Sequence, residues 1–243
     1  MSYLAVLACL WRMDPSQLRR APVAQRGSGQ VREGIHYARR TPELWIPLLM
    51  MAVIGTLAFN FQTVLPLFAT RDLGGTVVTF TLLMSVVSAG ALVGALATAR
   101  RRSIGMYTVS IAALAFGVSM AALALAPNQP VAFVVGAVVG LSSISFMTAS
   151  TAIVQMTASP SMRGRILALQ SMVFLGSTPI GGPIVGLISQ RFGARYSIAL
   201  GAVATLAAGA FGVIKVRRNA RAVIADGHEA QSVLPEQVVA GTA

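Results

Sequence analysis

Six stretches of this 243-residue chain run for about twenty residues or more without a single Asp, Glu, Lys, Arg or His: residues 45–69, 77–99, 104–126, 131–159, 166–190 and 196–214. A helix rises about 1.5 Å per residue, so about 20 apolar residues cross a hydrocarbon core of about 30 Å. A charge at mid-bilayer costs about 2.5–3.5 kcal/mol on insertion scales, so six clean runs are not an accident of composition. The expected fold class is an all-α membrane protein, a six-transmembrane-helix bundle over residues 45–214. Composition agrees: 55% of the residues are hydrophobic and 11% charged, against about 25% charged in an ordinary soluble domain.

The formal charge of +12 would suggest nucleic acid in a soluble protein, but the basic residues sit between apolar runs rather than on one binding face. They read as topology signals. Placing the N-terminal segment in the cytoplasm puts sixteen of the nineteen Lys and Arg residues inside and three outside, the bias that orients bacterial membrane proteins. Both flanking segments are therefore expected to be cytoplasmic, with the chain multi-pass in a plasma (inner) membrane. Short connections carrying Gly74-Gly75, Pro127 to Pro130 and Pro160 favour leaving a helix, which predicts a compact bundle of adjacent antiparallel helices.

The flanks divide further. Residues 1–11 are apolar but reach only about 16 Å as a helix, and they end in Trp11-Arg12. They read as the remnant of a transmembrane helix, with a short signal sequence as the alternative; the stretch lacks a basic start and a small-residue cleavage site. Residues 12–44 form a polar linker with Gly-Ser-Gly at Gly27 to Gly29. Within it Val31, Ile35 and Ala38 recur at helical spacing beside Arg32, Arg39 and Arg40, fitting either a short amphipathic helix on the inner membrane surface or a solvated basic linker. Residues 215–243 lose apolar periodicity, and 220–243 are expected to lack structure. Lone Cys9 forms no internal disulfide.

No enzyme chemistry is legible. His36 and His228 lie outside the spans, no Cys/His cluster has metal-ligand spacing, and no phosphate loop is present, so no catalytic residue, metal or cofactor is assigned. All seven acidic residues (Asp14, Glu33, Glu43, Asp72, Asp226, Glu229, Glu236) fall in flanks or loops. The proton relays of carriers rest on intramembrane carboxylates or histidines, and these spans hold neither. Neutral polar residues remain: Asn60, Gln62 and Thr63, then Ser142, Ser145, Thr148 and Gln155, then Gln170 and Ser171. In lipid each must find a partner. Asn60, Gln62, Gln155 and Gln170 are the substrate-pathway candidates, with helix-to-helix bonding the competing role.

Small residues repeat at Gly90 and Gly94, Gly136 and Gly140, and Gly182 and Gly186, spacings that permit close helix approach and that also arise by chance in Gly- and Ala-rich helices. The run Gly176-Ser177-Thr178-Pro179-Ile180-Gly181-Gly182-Pro183 removes two backbone donors beside flexible residues. It predicts a kinked helix, with Pro179, Gly181, Gly182 and Pro183 as kink or gating candidates, joined by Pro66 in the first span.

The run from Arg32 to Leu44, placed before a span containing Asn60-Phe61-Gln62 and Leu65-Pro66-Leu67, resembles the central loop and seventh helix of major facilitator carriers, in the enterobactin-exporter-like and macrolide-efflux-like branch. Met162-Arg163-Gly164-Arg165 is similar to that branch's loop between helices ten and eleven, and Gly193-Ala194-Arg195 to the turn after helix eleven. The resemblance implies that the six spans correspond to helices seven to twelve, that residues 1–11 end helix six, and that 12–44 join two halves. It implies secondary-active export of a small molecule, drug or siderophore in type, by alternating access with an N-terminal six-helix half. A half-size carrier acting as a dimer and a non-transporting assembly partner are the rival readings. Where the family's loop often reads Gly-x-x-x-Asp, this chain has Gly94 and Thr98, followed by Arg100, Arg101 and Arg102. Those arginines, with Arg163 and Arg165, are cytoplasmic-loop candidates for gating or for plain anchoring.

Overall fold

The computed structural model describes Trp11 and residues 30–100 and 104–232; from Val31 onward, everything below lies in the unit Val31–Ala243. Eight α-helices are described there: α1 (Gln30–Arg40), α2 (Pro42–Leu57), α3 (Phe61–Leu67), α4 (Val77–Ala99), α5 (Met106–Ala124), α6 (Gln129–Thr157), α7 (Arg163–Phe192) and α8 (Ala194–Ser232). Six helical stretches among the described residues are long and apolar enough to cross a membrane. The all-α six-span bundle is therefore the fold, and the chain is a multi-pass membrane protein. Residues 1–10, 12–29, 101–103, which include Arg101 and Arg102, and 233–243 lie outside the described residues.

The first span is two helices rather than one. α2 stops at Leu57, Ala58 donates its N–H to the Ile54 carbonyl, and the chain restarts as α3 with Asn60 at its N-cap. A π-helical turn, Phe68–Asp72, closes the span, just after Pro66 removes a backbone donor from α3. Uniform hydropathy hides such a break, because hydropathy measures transfer to lipid and says nothing of backbone bonding. Conversely, the Gly/Pro run of the fifth span leaves α7 a single helix with Pro179 and Pro183 inside it.

Packing also departs from sequential antiparallel pairs. The most extensively packed pair is α4 with α6, followed by α5 with α8. α4 and α6 run in the same direction, and α2 packs beside α7, also in parallel. Glycine is the cause. A Cβ on Gly90 would land on the Ala137 carbonyl, one on Gly94 on the Leu141 carbonyl, and one on Gly140 on the Val87 carbonyl, so the two Gly-x-x-x-Gly pairs face each other and let the backbones touch. The third pair does not act this way: Gly182 and Gly186 meet neighbours only at ordinary distances of 3.9 and 3.5 Å.

α1 is helical, but its buried face is Gly34 and Ala38, with Tyr37 partly covered, while Val31 stays 49% exposed. Of the expected Val31–Ile35–Ala38 stripe, Ala38 is buried, Ile35 half-buried and Val31 exposed. Arg39 stacks over the Trp45 ring at 5.1 Å, tying α1 to the start of α2. At the other end of the chain, α8 continues helically to Ser232, past residue 220, from which the chain was expected to lack structure.

Hydroxyls bond the interior. The Ser119 and Ser142 hydroxyls meet at 2.9 Å between α5 and α6. Ser189 donates to Ser197 at 2.8 Å, and Ser197 donates to the Val185 carbonyl at 2.9 Å, joining α7 to α8. Ser142 therefore bonds helix to helix.

Candidate functional site

The break in the first span sits where α7 crosses it. Ending α2 frees carbonyls that an unbroken helix would have used, and the Asn60 side chain answers one: its Nδ2 donates to the Thr56 carbonyl at 2.7 Å, and the residue is 5% exposed. The same Thr56 carbonyl lies where a Cβ on Gly181 would fall, and a Cβ on Gly55 would stand 2.8 Å from the Ser177 hydroxyl. Gly181 is therefore an approach glycine. Phe59 fills the break, with ring centroids 5.2 Å from Phe174 and 5.3 Å from Phe116.

One turn or two toward the α1 end, α2, α6 and α7 enclose a cleft of about 350 Å³ lined by Met51, Met147, Thr151, Leu167, Gln170, Ser171, Phe174 and Leu175. Gln170 Nε2 donates to the Thr151 hydroxyl at 3.1 Å, and Thr151 donates to the Met147 carbonyl at 2.9 Å. The Gln170 Oε1 is buried without a partner. The cleft thus combines thioether, aromatic and aliphatic walls with the Ser171 hydroxyl and the buried, unpartnered Gln170 oxygen.

Other candidates are dispersed. Gln62 and Gln155 are exposed, on α3 and α6. Pro179 and Pro183 are exposed on α7, and Pro66 is half-buried in α3. Thr98 is buried and donates to the Gly94 carbonyl at 2.8 Å, so the position that resembles the family's acidic one carries a satisfied hydroxyl. Arg100 and Arg163 are exposed. Arg165 instead forms an ion pair with Glu33 at 2.6 Å, and the Ser159 N–H beside it donates to the Tyr37 hydroxyl at 3.3 Å. α1 is therefore clamped to the α6–α7 connection. Hydrogen bonds from Ser159, its side chain first and its backbone second, hold the Tyr37 pKa below the usual tyrosine value.

Sequence reasoning passed over Glu33, Tyr37, Thr151 and Phe174. Thr151 is four residues before Gln155 on the same helix, one turn toward the interior, and only the packing partner separates the two. Glu33 carried a usable signal as an acidic residue in an Arg-rich segment.

The covering of the spans is uneven. In the most apolar stretch of each helix, 17% of α7 and 28% of α4 is buried, against 39–56% in the other four. α7 shows only a narrow buried line, Ile166, Gln170, Ser177, Gly181, Val185 and Ser189. On its bare side stand Ser171, Thr178 and Gln190. Of the basic residues described, Arg32, Arg39, Arg40, Arg100, Arg163, Arg165, Lys215, Arg217 and Arg218 gather at the end that carries α1, and Arg71, Arg191 and Arg195 at the other.

A family model, MFS_3, described as transmembrane secretion effector, matches residues 1–242. No curated protein matches the chain.

Proposed function

The chain belongs to the transmembrane secretion effector family of major facilitator permeases, and from that premise we propose that it is the C-terminal half of a secondary-active exporter of small molecules. The substrate runs beside α2–α3, α6 and α7, and a second six-helix bundle covers α7 and α4. The observation that carries the reading is α7 itself, a span-length helix whose bare side holds Ser171, Thr178 and Gln190. Lipid satisfies none of these groups as well as a wet path or a partner bundle does. The basic end of the bundle faces the cytoplasm by the positive-inside bias, in a bacterial inner membrane. Coupling by an intramembrane carboxylate has no residue here, so the energy-coupling groups belong to the covering half. Arg163 and Arg165 then act at the cytoplasmic gate, with α1 as the tether between halves.

Two measurements test this. With Cys9 replaced by Ser, a membrane-impermeant maleimide is expected to label Thr178→Cys on α7 and to leave Val203→Cys on α8 untouched; equal labelling of both removes the case for a path along α7. In reconstituted vesicles, dye export is expected when a second six-helix bundle is co-reconstituted. Export against a gradient by the 243-residue chain alone would show that no covering half is needed and would favour the dimeric half-size carrier.

A further inference from the structure

The cleft between α2, α6 and α7 is lined by Gln170, whose amide bonds to Thr151. The Thr151 hydroxyl has one proton, and it is committed to the Met147 carbonyl at 2.9 Å. Its oxygen accepts from the Gln170 NH₂ group at 3.1 Å. The Gln170 carbonyl oxygen is left on the far side, buried and without a donor, on a side chain only 6% exposed. A buried acceptor in that state carries a desolvation cost that any incoming donor removes.

We infer that this cleft binds an uncharged, largely apolar small molecule that presents a single O–H or N–H donor to Gln170 Oε1. The inference rests on the transport reading for how the molecule arrives, and adds its chemical class. Three features of the lining select that class. The volume of about 350 Å³ lies at the small end of ligand sites. Met51, Met147, Leu167, Phe174 and Leu175 offer polarisable and aromatic surface that rewards an apolar body. No lining residue is acidic or basic, so a cation would be desolvated without a counter-charge, and an anion would face the carbonyl lone pairs. A molecule with no donor leaves Oε1 as it is in the empty cleft.

The test uses the chain in lipid nanodiscs and three naphthalene probes of one shape: 1-naphthol, 1-methoxynaphthalene and 1-naphthylmethylammonium. Binding is read as the saturable signal above empty nanodiscs. 1-Naphthol is expected to bind about tenfold tighter than its methyl ether, the ratio of one hydrogen bond to a buried acceptor, and tighter than the ammonium. Gln170→Leu should erase the preference for naphthol over the ether. Gln170→Glu should turn the preference toward the ammonium at mildly alkaline pH, a gain that misfolding cannot produce. Gln155→Leu, on the same bundle but outside the cleft, should keep the wild-type order. Equal affinity of the wild-type chain for naphthol and its ether, or saturable binding of neither, overturns the inference. These ratios need no transport, so a chain that shows the preference but moves no dye with any covering half overturns the transport reading alone.

Discussion

The Arg165 guanidinium and the Glu33 carboxylate meet at 2.6 Å, so the first turn of α7 holds the first turn of α1. The pair is partly open to water, with Glu33 59% exposed, and such pairs contribute about 0–1 kcal/mol. Its effect is therefore local. Glu33→Gln is expected to raise hydrogen exchange several-fold at residues 31–40 while the unfolding of the transmembrane bundle stays within about 1 kcal/mol of wild type. Unchanged exchange in α1 would mean that Tyr37 and Ala38 hold the helix by themselves.

Tyr37 makes the second tie, and its pKa is lowered. A lowered pKa means that the folded, docked state binds its proton less tightly than the free helix does. The linked stability is absent at neutral pH, where both states are protonated, and accrues as pH rises through the folded pKa toward the ordinary tyrosine value. Docking of α1 should therefore strengthen from neutral to alkaline pH. Tyr37→Phe should abolish that strengthening, and the difference in tyrosinate absorbance between the two proteins should titrate below the usual tyrosine range. Weaker docking at alkaline pH would reverse the sign and reject the assignment.

The glycines separate by what lies opposite them. Gly140→Ala pushes a methyl against the Val87 carbonyl, backbone that cannot rotate away, and is expected to cost about 1–3 kcal/mol. Gly176→Ala, with nothing within 4 Å and no positive φ, should stabilise by about 0.4–1 kcal/mol through the unfolded chain. Thermal unfolding in one detergent checks both, and equal shifts would mean that α4 and α6 do not cross where the glycines place them.

Asn60 and Gln62 make a matched contrast on α3. Asn60→Leu leaves the Thr56 carbonyl without its 2.7 Å donor in a buried site, at an expected cost of about 1–3 kcal/mol. Gln62 is exposed, and Gln62→Leu should move stability by less than about 0.5 kcal/mol while lowering dye transport along the proposed path. A stability loss at Gln62 would assign it to packing instead.

What was legible in the chain follows from how each property is encoded. Insertion into lipid depends on the summed transfer energy of consecutive residues, so six spans follow from the apolar runs alone, and the gathering of arginine at one end follows from loop counts. Asn60 was visible as an amide in an apolar run, since an amide in lipid must be satisfied. Its partner was not visible, because that partner is a carbonyl freed by a helix break. Gln170 and Gln155 were equivalent as sequence: one lies in a cleft and the other is exposed because of where α7 crosses α6. Likewise, Pro179 and Gly181 share one motif, yet α7 stays continuous there and Gly181 instead meets the backbone of α2.

The sequence by itself thus determined that this is a six-span membrane helix bundle, because hydrophobic transfer is additive along the chain. Only the tertiary structure decided which spans touch, where the first one breaks, and which side-chain oxygen is left without a donor. Those outcomes depend on backbone approach and hydrogen bonding between helices distant in sequence, such as the Gln170 amide of α7 donating to the Thr151 hydroxyl of α6.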